Sequence, residues 1–154
     1  MTVVNAMRFN DKEGGMVADS QSSNSLRKYD LADKIFSHVR GDTLVLGGGS
    51  GAADILYETA QLVDAELKRH DTYTTGDVAT HFAGVLSNLK RQRINHYLFS
   101  TFGVTAEQAL AGRDIGPHLL NPVTEAYVGQ NKDAQVLFSN GFVLLGRDSL
   151  GVHL

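Results

Sequence analysis

Three observations in this 154-residue sequence predict an α+β fold or a layered sandwich. Apolar runs of strand length gather near both ends. Two long stretches of helical periodicity lie between them. A glycine-rich segment, GDTLVLGGGSG (41–51), joins the first group of strands to the first helix. Strands grouped apart from helices do not give the alternation of a parallel doubly wound sheet.

Taken in order, residues 2–9 (TVVNAMRF) read as a strand. NDKEGG (10–15) is a turn in which the glycines are expected to supply the unusual backbone angles, and MVADS (16–20) is the returning strand. QSSNSLRKY is polar and reads as a loop, and LADKIFSHV (31–39) is compatible with another strand. A strand at Thr43–Leu46 leads into a glycine-rich bend. From Ala52 to about His70, Ile55, Leu56, Ala60, Leu62, Val63 and Leu67 fall at helical spacing. TTGD precedes a second helix of about 24 residues from Val78, with Phe82, Val85, Leu86, Leu89 and Ile94 on one side. Thr105-x-x-Gln108 has the form of a capping box opening a short helix through Ala111. AQVLFS and FVLLGRD are two further strands with Asn140-Gly141 as a hairpin signal between them, and GVHL looks like part of another. No internal repeat or linker interrupts residues 1–154, which read as a single domain.

Composition narrows the function. With 42% hydrophobic and 20% charged residues, the chain suits one globular domain that buries roughly 68–70% of its unfolded surface. Seventeen acidic against fourteen basic residues give a net charge of −3, which argues against a nucleic-acid partner. The absence of cysteine removes disulfides, thiolate-bound metal and thiol catalysis. No 18-residue apolar run and no charged-then-apolar leader is evident, so no membrane partner and a cytoplasmic location are expected.

The loudest local signal is Gly47-x-Gly49-x-x-Ala52, the form of a dinucleotide fingerprint between a strand and a helix. That fingerprint also needs a second strand ending in an acid about 20 residues later. Here those positions fall at Glu66–His70, near a helix end, and another helix follows. No Gly-Lys-Ser/Thr triplet exists for a phosphate loop. Close packing of strand on helix accounts for the glycines, as does a set of backbone N–H groups aimed at a developing oxyanion. The six histidines (38, 70, 81, 96, 118, 153) show no metal-ligand spacing, so no metal and no cofactor are expected. LKRQR (89–93) is a basic cluster on a helix, read as a solvated face or a subunit contact.

Thr2, Asp19 and Lys34 remain. Methionine is normally trimmed when a small residue follows, which would make Thr2 the N-terminus. A threonine with a free α-amine carries nucleophile and base in one residue. Its amine, with a reference pKa of ~7.7–8.0, can accept the hydroxyl proton near neutrality. A neighbouring lysine would favour the neutral amine and the developing alkoxide, and a carboxylate would hold that lysine. The hairpin brings Asp19 toward Thr2, and Lys34 flanks the next strand. Spacing alone favours a plain surface ion pair, which any sequence could supply.

At these residues the sequence resembles the proteasome β-subunit family of N-terminal-nucleophile hydrolases and its bacterial or archaeal relatives. TVVNAMRF, GGMVADS, ADKIF and LVLGGGSGAAD stand in the family's order. Lys34 follows Thr2 by 32 positions, as in the family, and Asp19 by 17, one more than usual. The resemblance implies a four-layer αββα sandwich and catalysis by Thr2, Asp19 and Lys34, with Gly49 or Ser50 as the oxyanion N–H. It further implies a homo-oligomeric ring, face-to-face double rings, a peptide or unfolded-protein substrate, and an unfoldase or ring activator. The segment 101–131 reads as an insertion, and the resemblance stops before the family's accessory serine, downstream acid and last helices. A retained Met1 would block the amine. Two alternatives stand beside the threonine peptidase: a non-catalytic ring subunit of the same fold, and a relative that passes the acyl group to an amine.

Overall fold

The computed structural model describes residues 3–19, 22–23, 28–29, 34–70, 73–130 and 139–154. Among them the chain runs β1 (Val4–Arg8), β2 (Gly14–Ala18), β3 (Ser22–Ser23), β4 (Lys28–Tyr29), β5 (Ile35–Arg40) and β6 (Thr43–Ser50). There follow α1 (Ala53–Leu67), α2 (Thr75–Phe102), α3 (Ala106–Ala111), α4 (Leu120–Tyr127), β7 (Gly141–Asp148) and β8 (Gly151–His153). The fold is therefore mixed α+β. Strands β5-β6-β7-β8 form an antiparallel sheet, while β1-β2 and the short β3-β4 are separate antiparallel pairs.

Alternation along β6 and β7 sorts their side chains onto two faces. One face meets the helices: Val45 packs with Val63 and Leu67 of α1 and with Val78 and Phe82 of α2, flanked by Phe36, Phe142 and Leu144. Phe82 stacks on Phe36 with ring centroids 5.0 Å apart and tilts against Phe142 at 5.1 Å. Each such buried side chain contributes about 1.5–3 kcal/mol. The other face meets the β1-β2 hairpin, whose Val4 and Met16 lie over Gly48 while Leu145 lies against Gly14. The far half of α2 has its own core, in which Ile94 and Leu98 pack with Val104, Val123 and Ala126.

Several sequence expectations change here. The β1-β2 turn is built by Asn10, whose side-chain oxygen accepts from the amides of Lys12 and Glu13. Its glycines do not supply left-handed angles: Gly14 and Gly15 belong to β2 and neither has positive φ. The glycine-rich segment is not a bend either. Residues 47–49 continue β6 to Ser50, paired with β5 through Gly48 and with β7 through Ser50, and they are glycine because side chains would collide there. A Cβ on Gly47 would run into Phe36, one on Gly48 would lie 2.6 Å from Val4, and one on Gly49 would lie 2.9 Å from Leu56. Part of the loop read over QSSNSLRKY is a short pairing, Ser22 with Tyr29 and Ser23 with Lys28. Helix α2 starts three residues before Val78, because TTGD is its first turn and not its approach. Thr74 and Asp77 form a reciprocal capping box, and the Thr74 N–H holds the Asp77 carboxyl below the ordinary carboxylate range. The capping box at Thr105 and Gln108 opens α3 through Ala111, as expected. Within 101–131, α4 was not foreseen. AQVLFS (134–139) lies outside the described residues except for Ser139.

The start of α2 is also held from outside. Asp148, buried at the end of β7, accepts from the Thr75 and Leu150 amides at 2.9 Å each, and its Oδ1 lies 3.0 Å from Nε2 of His153. The Thr75 amide first, then those of Leu150 and the His153 side chain, hold its carboxyl far below the usual range against the opposing effect of burial. A depressed folded-state pKa gives stability that is present above about pH 4 and lost as pH falls below it. Asp148→Asn is expected to cost about 2–3 kcal/mol at pH 7 and to flatten the decline of stability between about pH 5 and 2. Urea unfolding across that range checks both; an unchanged slope would contradict this role.

Candidate active site

At the opposite end of the sheet, Asp19 follows β2 directly and Val3 precedes β1. The two residues extend the hairpin register from Val4 opposite Ala18. The Asp19 amide donates to the Val3 carbonyl at 3.1 Å, and the Val3 amide donates back to the Asp19 carboxylate at 2.7 Å. The second carboxylate oxygen accepts from Lys34 Nζ at 2.8 Å. One carboxylate thus joins a buried ammonium to the peptide nitrogen that links Val3 to the preceding residue. The Lys34 side chain is only 10% exposed and Asp19 31%, so this pair is better shielded than a surface ion pair. Lys34 stands where it does because β5 begins at the next residue, and Ile35 pairs with Gly48.

That register carries Lys34 to the position beside Gly49. Pairing of β6 with β5 ends at Gly48, while pairing with β7 continues through Gly49 and Ser50, opposite Phe142 and Gly141. Successive residues of a strand direct their N–H groups to opposite neighbours. One of Gly49 and Ser50 therefore points its amide toward β7. The other points it toward the side that β5 has left, the side of Lys34.

Of the residues singled out from the sequence, Asp19, Lys34, Gly49 and Ser50 come together at this one end of the sheets. Thr2 lies outside the described residues. The basic cluster does not form one solvated face: Lys90 donates to the Asn140 carbonyl at 3.1 Å, and Arg93 reaches Glu58 at 3.0 Å and Asp54 at 3.3 Å, both on α1. His38 is buried among Phe36 and Phe82, with Nδ1 3.2 Å from Asp64. Lys68 and then His38 hold the Asp64 carboxyl below its ordinary value. Among the described residues no group of three or more His, Asp or Glu side chains is arranged to hold a metal ion, and no helix is long and apolar enough to cross a membrane.

Sequence reasoning missed two partners at this end. The Val3 amide was not foreseen as an acceptor's target, since strand patterns say nothing about backbone groups beyond the last pair. Asn140 was read only as a turn former. Its side-chain oxygen accepts from the Ala52 amide at 2.7 Å, across 88 positions that no local pattern bridges. No protein-family model matches the chain, and neither a curated protein nor a solved structure matches it.

Asp19→Ala removes the acceptor of the Val3 amide. Exchange of that amide is expected to accelerate roughly fivefold, about 1 kcal/mol, while the β6 amides stay unchanged. Hydrogen exchange resolved by residue checks this, and equal rates in the two proteins would contradict the tether.

Proposed function

We propose that this chain is an N-terminal threonine peptidase of proteasome type. The observation that carries the reading is the Asp19 carboxylate, which ties Lys34 to the amide of Val3 at the head of β1. Thr2 is the residue joined to that amide, and trimming of Met1 would free its α-amine.

In this reading the Thr2 hydroxyl attacks the scissile carbonyl and its proton passes to the Thr2 α-amine, through a water. The Lys34 ammonium favours the neutral amine and the alkoxide that forms. Asp19 orients Lys34. The amide of Gly49 or Ser50 that points away from β7 receives the negative oxygen of the tetrahedral intermediate. Collapse of that intermediate expels the amine product, which takes the proton back from the α-amine, and leaves an ester on Thr2. Water then hydrolyses the ester and restores the hydroxyl. The reading extends to a four-layer sandwich, assembly into a ring or double ring, unfolded protein as substrate, an unfoldase as partner, and a cytoplasmic setting.

Thr2→Ala is expected to lower hydrolysis of a fluorogenic peptide panel by at least about 10³-fold without moving the thermal midpoint, since a hydroxyl is lost and no core. Lys34→Ala is expected to lower kcat about 10²–10³-fold through lost electrostatics. Full turnover by either variant would refute the assignment. Adding an amine to the assay separates the acyl-transfer alternative, in which amide product accumulates at the expense of acid.

A further inference from the structure

The β6–α1 junction, which carries the candidate oxyanion amides, is held by a residue far away in sequence. Helix α1 begins after Ala52, whose side chain cannot cap, so its first amides need acceptors from elsewhere. Asn140 supplies one for Ala52 at 2.7 Å. Its carbonyl in turn accepts from Lys90 of α2 at 3.1 Å. Between strand and helix, Gly51 has φ +122°, a backbone that favours glycine. Space beside it is already filled, because a Cβ there would collide with Asn140 Oδ1 and lie 2.6 Å from the Ser139 carbonyl. Ser50 and Gly49 are then zipped to Gly141 and Phe142 by the β6-β7 register. Residues 49–52 thus touch 139–142 at every position, through a ladder pair, a steric stop or a hydrogen bond.

We infer that Asn140, braced by Lys90, is a positioning residue that sets where the Gly49–Ser50 amides point. The inference rests on the peptidase reading for its catalytic consequence and on the hydrogen bonds for its physical content. An oxyanion donor works only when preorganised at hydrogen-bond distance from the charge that develops, and a displacement of about 1 Å can cost about 10²-fold in rate. A capping side chain at position 52 would accept from amides inside α1 and leave β6 unconstrained. The Asn140 side chain takes the Ala52 amide itself and so couples the strand end to β7 and α2 together.

The test compares the unsubstituted chain with Asn140→Ala, Asn140→Asp and Lys90→Met. Asn140→Ala is expected to lower kcat about 10- to 100-fold with KM within about twofold, and to accelerate exchange of the Ala52 amide. Asn140→Asp keeps an acceptor for that amide and is expected to retain most of kcat. Lys90→Met removes the brace and leaves the Asn140 side chain in place, and it is expected to fall between them, which keeps the inference testable should Asn140→Ala not fold. An unchanged kcat in Asn140→Ala, or a loss that Asn140→Asp does not recover, would overturn it. If the unsubstituted chain hydrolyses no peptide, the peptidase reading fails and the catalytic role falls with it. Exchange at Ala52 then still decides whether Asn140 holds the junction, and equal rates with and without its side chain would refute that as well.

Discussion

A lysine side chain that is nine-tenths buried needs a counter-charge for its ammonium group, and the place where that charge sits constrains everything near it. For Lys34 the counter-charge is Asp19, and Asp19 is not only a partner for lysine. Its other oxygen takes the Val3 amide, and its own amide returns to the Val3 carbonyl. The first strand, the return strand and the start of β5 therefore meet at one carboxylate. The hairpin cannot slide along the sheet without opening that pair, and a slip of one residue would turn Val4 and Met16 away from Gly48. The electrostatic contact and the packing of the two sheets enforce the same register.

The four-stranded sheet has two ends of different character. At one end Asp148 closes onto the first turn of α2, with amide and imidazole donors around a buried carboxylate. At the other end are an ammonium, a carboxylate, a strand whose pairing on one side has ended, and a helix start whose Ala52 amide is taken by Asn140. The β6 residues that reach the second end are glycines because Phe36, Val4 and Leu56 leave no room for side chains. They answer to packing first. Whatever chemistry their amides perform follows from that packing.

Much of the element order was legible because it rests on local patterns. Apolar runs mark the strands 4–8 and 141–148, the spacing of Ile55, Val63 and Leu67 marks α1, and the Thr105/Gln108 capping box marks α3. What local patterns miss is set by contacts between distant residues. The GGG segment is flexible on its own and is held as strand by β5 at Gly47 and Gly48 and by β7 at all three glycines. Helix α4 lies in the segment read as an insertion, and it accommodates Pro122 because that residue is in the first turn, where a missing N–H costs nothing. The pairing of Asp19 with Lys34 was inferred from family-like spacing and is met by a 2.8 Å contact. The Asn140 clamp had no sequence signal, since Asn-Gly between apolar runs means a turn in most chains.

The central claim is that the residue joined to Val3 presents an unblocked amine and a hydroxyl to Lys34. Intact-mass and fragment analysis of the purified chain, before and after treatment with an electrophile selective for N-terminal threonine, tests it most directly. The account expects a chain lacking Met1 that gains one covalent adduct, mapped to Thr2. A chain that retains Met1 and gains no adduct would contradict it.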